Sequence, residues 1–148
     1  MTFTVGESNF RSEWPYLHVP HNTDPDVRVL PFFGIMGAGR ATPYRIRFQL
    51  DKVPAASATA DLRLAICGTA APALDVAVNG RSAGSVALQQ TRDGVITRHG
   101  SHGIWYETDF RFDGRRLKKG WNELTLTVPA GSLNSGILYD YIRLELND

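Results

Sequence analysis

The sequence predicts an all-β fold, an antiparallel β-sandwich, on three observations. In about seven segments apolar and polar residues alternate with period two, as in strands that bury one face. These segments are short, and residues that favour turns, Gly, Pro, Asn and Asp, separate them. The 3.6-residue periodicity of amphipathic helices is almost absent. Together these features are typical of a two-sheet sandwich, and a jelly roll is the favoured variant.

Each predicted strand is a segment in which alternate residues are apolar. The first, "PYRIRFQL", places Arg45 and Arg47 on the face opposite its apolar residues. A later segment, "LDVAVNG", ends in Asn79-Gly80, which tolerates positive φ and indicates a tight hairpin turn. In chain order, the residues that the strands are expected to bury are Tyr44, Ile46, Phe48 and Leu50; Leu62, Leu64 and Ile66; Leu74, Val76 and Val78; Val86 and Leu88; Tyr106, Thr108, Phe110 and Phe112; Leu124, Leu126 and Val128; and Leu138, Ile142, Leu144 and Leu146.

Length and composition indicate one folded domain. The chain has 148 residues, of which 43% are hydrophobic and 21% charged, and this excludes gross disorder. We expect residues 1–148 to form one β-sandwich. Within it, residues 1–40 are expected to be an irregular N-terminal covering segment, because "HNTDPD", "LPFFGIMGAG" and several prolines interrupt the alternation. The net charge of +1 gives no general attraction to nucleic acid, so no nucleic-acid partner is expected.

The sequence gives no indication of a membrane partner. No run approaches the roughly 20 apolar residues of a membrane helix, and the N-terminus lacks the pattern of a signal peptide. The protein is therefore expected to be either cytoplasmic or part of a longer secreted chain. A start at "TFTVG", which is already strand-like, favours the second alternative.

The segment "TRHGSHGIWYE" is the most unusual in the chain. It places His99 and His102 three residues apart between glycines, directly after Arg98 and shortly before Trp105. Arg, His and Tyr are residue types that can form a catalytic acid/base group beside a cation. Glycines also permit a sharp turn that the histidines brace through hydrogen bonds, or that holds a ligand. The sequence leaves these readings open.

Metal binding is a further alternative for this segment. Zinc needs three or four ligands, and only His18 and His21 from the N-terminal region are available to complete a histidine site. Oxygen ligands of the kind that calcium prefers occur in "DPD", so Asp24 and Asp26 are candidates for a structural calcium site. No other cofactor is expected.

A sheet face offers the other candidate site. On the last segment, "LYDYIRLEL", the alternation places Tyr139, Tyr141 and Arg143 opposite the apolar residues. If this strand pairs with the strand that carries Arg45 and Arg47, two tyrosines and three arginines share one surface. Tyrosine rings stack on sugars and arginine forks bind carboxylates, so this surface would suit an acidic glycan.

Several motifs together resemble a known family. These are "TFTVGESNFRSEWPY", "YRIRFQL", "LRLAICG", "VAVNG", "ITRHGSHGIWYETDFRF", "LKKGWNELTLTV" and "GILYDYIRLEL". In order and spacing the chain resembles the C-terminal domain of the family 4 polysaccharide lyases, the rhamnogalacturonan lyases. The resemblance implies a jelly roll of the galactose-binding-like type that acts as a carbohydrate-binding module. In that family it follows a catalytic β-sandwich and a small fibronectin-like domain.

The resemblance implies a function without catalysis. Nothing in the chain resembles the family's catalytic domain, which supplies the lysine and histidine for β-elimination. The expected partners are an acidic pectic polysaccharide and a catalytic lyase domain in the same parent chain, which would be extracellular or periplasmic. The residues expected to contact sugar are Arg45, Arg47, Arg98, His99, His102, Trp105, Tyr139, Tyr141 and Arg143. Two alternatives stay open: a structural domain that packs on a catalytic domain without binding sugar, and a stand-alone lyase.

Overall fold

The structure is a computed structural model and describes residues 1–22, 28–30, 34–91 and 103–147. Within these residues the chain forms fourteen strands, one four-residue helix and one 3₁₀ turn. No helix in this part of the chain is long and apolar enough to cross a membrane. The strands are Thr2–Thr4 (β1), Leu17–His18 (β2), His21–Asn22 (β3), Arg28–Leu30 (β4), Gly34–Met36 (β5), Ala38–Arg40 (β6), Thr42–Leu50 (β7), Thr59–Thr69 (β8), Ala73–Val78 (β9), Arg81–Ala87 (β10), Tyr106–Asp113 (β11), Gly120–Val128 (β12), Gly131–Ser132 (β13) and Ile137–Asn147 (β14), with the helix α1 at Phe10–Glu13 and the 3₁₀ turn at Gly114–Arg116.

Two sheets form the sandwich. The first sheet has the strand order β1-β7-β12-β9-β10, and the second sheet has the order β11-β8-β14-β2. Neighbouring strands are antiparallel, except that β1 runs parallel to β7. Apart from the β9–β10 hairpin, the chain crosses between the two sheets from one long strand to the next, as in a jelly roll. The predicted fold class, an antiparallel β-sandwich, is confirmed.

The core lies between the sheets and is filled by alternate residues of the long strands. All seven predicted strand segments are present, as β7 to β12 and β14. Burial of one Leu, Ile or Val side chain stabilises the fold by roughly 1.5–3 kcal/mol. The fully or almost fully buried apolar residues of these strands include Leu62, Leu64, Ile66, Leu74, Val76, Val78, Leu124, Leu126, Val128 and Ile137.

The predicted tight turn joins β9 to β10. Asn79 and Gly80 have φ angles of 50° and 78°, so both lie in the left-handed region that the two-residue hairpin requires. The Asn79 side chain also links the turn to the neighbouring strand β12, because its Oδ1 accepts a hydrogen bond from the backbone N–H of Glu123. The turn is therefore anchored to a third strand of the first sheet.

A buried histidine joins the N-terminal segment to both sheets. His18 is fully buried, and its ring stacks on Tyr44 with the ring centroids 3.6 Å apart. Its Nε2 lies 2.7 Å from the backbone oxygen of Thr42, where β7 begins, and its Nδ1 lies 3.0 Å from the hydroxyl of Tyr139 in β14. A neutral ring protonated on Nε2 satisfies both partners. His18 is thus already saturated by protein groups and is not available as a metal ligand in this arrangement.

The strands β7 and β14 do not pair, so the condition for a surface shared by their arginines and tyrosines is not met. β7 lies between β1 and β12 in the first sheet, whereas β14 pairs with β8 and β2 in the second. The apolar faces of β7 and β14 point into the same interior groove, which both Phe48 and Leu144 line. Their polar faces therefore point in opposite directions, and Arg45 and Arg47 do not share a surface with Arg143.

Tyr139 is also placed differently from the prediction. Its side chain is only 2% exposed, because the pairing of β14 with β8 is irregular at this point. Tyr139 lies opposite Ile66 and Tyr141 lies opposite Ala65, so that Asp140 is an extra residue, a β-bulge. The bulge allows Tyr139 to point into the core and Tyr141 to point outward, which strict alternation forbids.

Burial of His18 predicts a pH-dependent stability. Desolvation lowers the pKa of His18 to about 4, against 6.5 for the unperturbed side chain, although the hydrogen bond to Thr42 opposes the shift. Below pH 6.5 the unfolded chain binds a proton that the folded chain does not, so stability should fall as the pH decreases from about 6.5 to 4. The loss should be on the order of 3 kcal/mol, measured by urea denaturation at each pH.

Two variants isolate this contribution. H18Q has no titrating imidazole at this position, so its stability should change less than that of the wild type over the same pH window. H21Q removes the exposed histidine of the same segment and should keep the wild-type pH dependence. Equal pH dependence in wild type and H18Q would show that His18 is not the group responsible.

Candidate functional site

Three of the predicted sugar-contacting residues lie together on the second sheet. Tyr141 and Arg143 are on the outer face of β14, and Trp105 immediately precedes β11. Arg45 and Arg47 lie on the outer face of the first sheet, and Tyr139 lies in the core. The remaining predicted residues lie outside the described part of the chain, namely Arg98, His99, His102 and the calcium candidates Asp24 and Asp26.

Strand register places Glu107, Ala65 and Tyr141 in one row across the second sheet. Glu107 is opposite Ala65, and Ala65 is opposite Tyr141. The Tyr141 hydroxyl donates a hydrogen bond to Glu107 Oε1, although β8 lies between their two strands. The tyrosine side chain must therefore extend across β8, above Ala65. Ala65 has no exposed surface, as expected for a small residue beneath this ring.

This arrangement makes Tyr141 a flat platform. Its inner side rests on the sheet while 37% of the residue stays exposed, so one face of the ring is available to a ligand. The hydrogen bond fixes the ring in this position, and because it favours the neutral hydroxyl it raises the pKa of Tyr141. A preorganised aromatic ring loses little conformational entropy when a ligand stacks on it.

Trp105 extends the platform at the bulge. Trp105 is 52% exposed, and its indole Nε1 donates a hydrogen bond of 3.1 Å to Asp140 Oδ2. Asp140 is the extra residue of the bulge and directly precedes Tyr141. The bulge thus brings two exposed aromatic rings to one end of the second sheet. We call Trp105, Glu107, Asp140, Tyr141 and Arg143 the aromatic platform.

The charged residues beside the platform are mostly engaged in pairs. Arg63 donates two hydrogen bonds to Asp109, of 2.8 and 2.9 Å, and Arg111 donates two to Asp61, of 2.6 and 3.0 Å. The hydrogen bonds from these arginines hold the pKa values of Asp109 and Asp61 below the usual range. These four side chains therefore form a structural ladder rather than a set of free ligand contacts.

Arg143 is the platform residue best able to bind an anion. Its Nη2 lies 2.8 Å from Glu145 Oε1, but both side chains are about half exposed. Solvent-exposed ion pairs of this kind contribute little, so a ligand carboxylate can replace Glu145 at small cost. Glu107 and Asp140 accept hydrogen bonds, as sugar hydroxyl recognition requires.

The described residues give no support to a metal centre or a carboxylate pair for glycoside hydrolysis. Within residues 1–22, 28–30, 34–91 and 103–147, no three His, Cys, Asp or Glu side chains are close enough to hold a metal ion. Glu107 and Asp109 lie on one face of β11, but Glu107 accepts a hydrogen bond from Tyr141 and Asp109 accepts one from Arg63. Calcium at Asp24 and Asp26 stays a prediction.

The alternation of apolar and polar residues did not predict the roles of Ala65, Glu107 and Asp140. The tripeptide "YDY" carried the only signal for the bulge, because an aspartate between two tyrosines breaks the apolar alternation of the last strand. Ala65 gives no signal of its own, since its importance depends on the residues that lie opposite to it on two neighbouring strands.

Comparison with known proteins identifies a family. The model of the family described as "CBM-like: Polysaccharide lyase family 4, domain III" matches residues 1–144. No curated protein matches the sequence significantly.

Two solved structures match the chain at low sequence identity. The insecticidal delta-endotoxin Cry8Ea1 of Bacillus thuringiensis has a TM-score of 0.51 and 15% identity; the match covers 78% of this chain but 20% of the toxin. A family 35 carbohydrate-binding module from an environmental isolate has a TM-score of 0.43 and 18% identity over 90% of this chain and 96% of that chain. The chain therefore spans about a fifth of the length of the toxin.

The position of the Tyr141 ring above Ala65 can be tested by a double-mutant cycle. Ala65→Leu should push the ring off the sheet and destabilise the fold by about 1–3 kcal/mol, because the added methyl groups have no space beneath it. In a Tyr141→Ala background the same change should cost clearly less, as urea denaturation would show. If Ala65→Leu destabilises the fold equally in both backgrounds, the added methyl groups do not collide with the Tyr141 ring and the ring does not lie above Ala65.

Proposed function

Because the chain belongs to the carbohydrate-binding-module-like domain III family of polysaccharide lyase family 4, we propose that it binds pectic polysaccharide of the rhamnogalacturonan type without cleaving it. It would hold an attached lyase domain close to its substrate. The observation that carries this proposal is the Tyr141 ring, which lies exposed on the second sheet next to Trp105 and is held there by Glu107.

The chemistry of the platform fits a sugar chain. The exposed rings of Tyr141 and Trp105 stack on the C–H faces of sugars, and the carboxylates of Glu107 and Asp140 accept hydrogen bonds from hydroxyl groups. Neutral sugars suit this part of the site, because two carboxylates beside the rings disfavour a negatively charged sugar at the same position.

Arg143 supports binding of an acidic sugar next to a neutral one. It lies two residues beyond Tyr141 along β14, about 7 Å away, where a neighbouring sugar would extend. Its guanidinium can bind a uronate carboxylate through a charge-assisted pair of hydrogen bonds. A pectic backbone of the rhamnogalacturonan type alternates neutral and acidic sugars. It could therefore place a neutral sugar on the Tyr141 ring and the next, acidic sugar at Arg143.

Targeting is the role that such a surface serves best. An open, solvent-exposed platform desolvates its charges poorly, so we expect micromolar to millimolar affinity that decreases as salt increases. Attachment to a lyase domain would convert this modest affinity into a high effective concentration of substrate. A pectic substrate would place the parent protein outside the cell or in the periplasm.

A second candidate function is docking onto another domain of the parent lyase. An apolar groove of about 560 Å³ opens between β7 and β14 and is lined by Ile46, Phe48, Leu50, Ile142, Leu144 and Leu146. Val5 and Phe10 stand at this groove and are more than half exposed. Exposed apolar surface of this kind is typical of interfaces. On this alternative the domain would bind no glycan, and a catalytic domain of the family would raise its thermal stability.

Binding of neutral and alternating glycans tests the platform. Tyr141→Ala should weaken binding to a rhamnogalacturonan oligosaccharide and to a neutral galactan oligosaccharide by about fivefold to tenfold, because both lose ring stacking. Tyr141→Phe keeps the ring and should bind almost normally. Isothermal titration calorimetry provides the affinities.

Arg143→Gln separates charge recognition from stacking in the same assay. It should weaken binding of the rhamnogalacturonan oligosaccharide by about fivefold and leave the neutral galactan within about twofold. If none of these variants changes affinity for either glycan, the platform is not the binding site.

The absence of lyase activity is the second expectation. Purified protein incubated with rhamnogalacturonan or homogalacturonan should produce no absorbance from unsaturated uronates between about pH 5 and 10, the range in which a His, Tyr or Lys base titrates. Sustained product formation that an Arg98→Ala/His99→Ala variant abolishes would instead identify a stand-alone lyase.

A further inference from the structure

We propose that the first sheet carries a second glycan site, specific for a uronate carboxylate, on the face opposite the aromatic platform. It is built on Arg47, Lys118 and Trp121. The inference rests on the proposed function only for the class of ligand, a pectic glycan, and uses none of the platform residues.

The site is an open cavity on the outer face of the first sheet. Its volume is about 300 Å³, at the lower end of the range for ligand pockets and sufficient for a sugar unit. The residues that line it are Arg47, Asn79, Lys118, Trp121, Asn122 and Glu123.

A stacked pair of side chains orients the arginine. The guanidinium carbon of Arg47 lies 4.8 Å from the centre of the Trp121 ring, a cation–π contact, and Trp121 is 37% exposed. Glu123 is opposite Arg47 in the strand register, but it forms its ion pair with Arg45, at 3.7 Å. Arg47 is therefore held by an aromatic face, and the N–H groups at the edge of its guanidinium can form a bidentate contact with a carboxylate.

Two asparagines make the cavity floor rigid. Asn122, which is almost fully buried, donates from Nδ2 to the backbone oxygens of Lys118 and Gly120, and its Oδ1 accepts from the Lys118 N–H at 2.9 Å. Asn79 Nδ2 also donates to Asn122 Oδ1, at 2.9 Å. These hydrogen bonds fix the backbone of Lys118 at the cavity. The side chain therefore starts from a fixed position, from which its ammonium group can reach a ligand.

The charge at this surface differs from that of the platform. Among the described residues at this cavity, Arg45, Arg47 and Lys118 lie near the carboxylate of Glu123, and these four side chains together carry a net charge of +2. A chain in which every sugar carries a carboxylate is favoured here and disfavoured beside Glu107 of the platform. Oligogalacturonate is therefore the probe that distinguishes the two sites.

Two sites on opposite faces allow one domain to hold two glycan segments. A neutral or alternating segment would bind to the second sheet, and a segment rich in uronate to the first. Simultaneous contact raises the effective concentration of each segment for its site without any increase in the individual affinities.

Calorimetric titration with trigalacturonate tests this site. Arg47→Gln and Lys118→Gln should each weaken binding by about tenfold, and Trp121→Ala, which removes the support of Arg47, by a similar factor. Arg40→Gln is the matched control, because it removes the same charge from the exposed strand β6 outside both sites and should keep the affinity within about twofold. Tyr141→Ala should likewise leave trigalacturonate binding unchanged.

The outcomes separate this inference from the proposed function. Loss of trigalacturonate binding in Arg47→Gln but not in Tyr141→Ala supports a second site, even if the neutral glycan fails to bind the platform. If Arg40→Gln and Arg47→Gln weaken trigalacturonate binding equally, the net charge of the domain explains the loss, and the inference is overturned. Weakening by Tyr141→Ala alone would assign all binding to the platform.

Discussion

The buried, neutral imidazole of His18 joins the two sheets that carry the two surfaces. It bonds the start of β7 in the first sheet through Thr42 and the buried part of β14 in the second sheet through Tyr139. Trp14 packs edge-on against Tyr44 and contacts Tyr139, so the N-terminal segment closes this end of the sandwich with aromatic rings. A charged imidazole here would have no acceptor at Nδ1 other than a hydroxyl, and burial makes the protonated form costly.

The same contact explains the position of the platform. Because Tyr139 must point inward to reach His18, regular alternation would turn Tyr141 inward as well. Asp140 prevents this as the additional residue of the bulge, and its carboxylate then accepts from Trp105. Core packing and the geometry of the exposed rings are thus two results of one local irregularity in β14.

Alternation along single strands was sufficient to predict the long strands, the Asn79-Gly80 hairpin and most of the buried faces; the face of Tyr139 in β14 is the exception. These features are local, since each strand is specified by its own residues and the turn by two residues that tolerate positive φ. Pairing between strands is not local. Whether Arg45 and Tyr141 share a face could not be predicted, because both strands show the same alternation whether they lie side by side or in opposite sheets. The platform depends on pairing as well, through Ala65 and Glu107, which no motif identifies.

Face-to-face packing of β7 and β14 has a consequence for recognition. Had the two strands paired, their arginines and tyrosines would have formed one mixed surface with a single preference. Packed across the core, they present two surfaces of opposite character: fixed rings beside carboxylates on the second sheet, and a stacked arginine with a lysine on the first. A glycan that contains both neutral and acidic sugars can satisfy each surface with a different segment. Because the two sheets hold these surfaces on opposite sides of the sandwich, one glycan segment would not reach both of the proposed sites, so together they would suit a long polysaccharide rather than a short oligosaccharide.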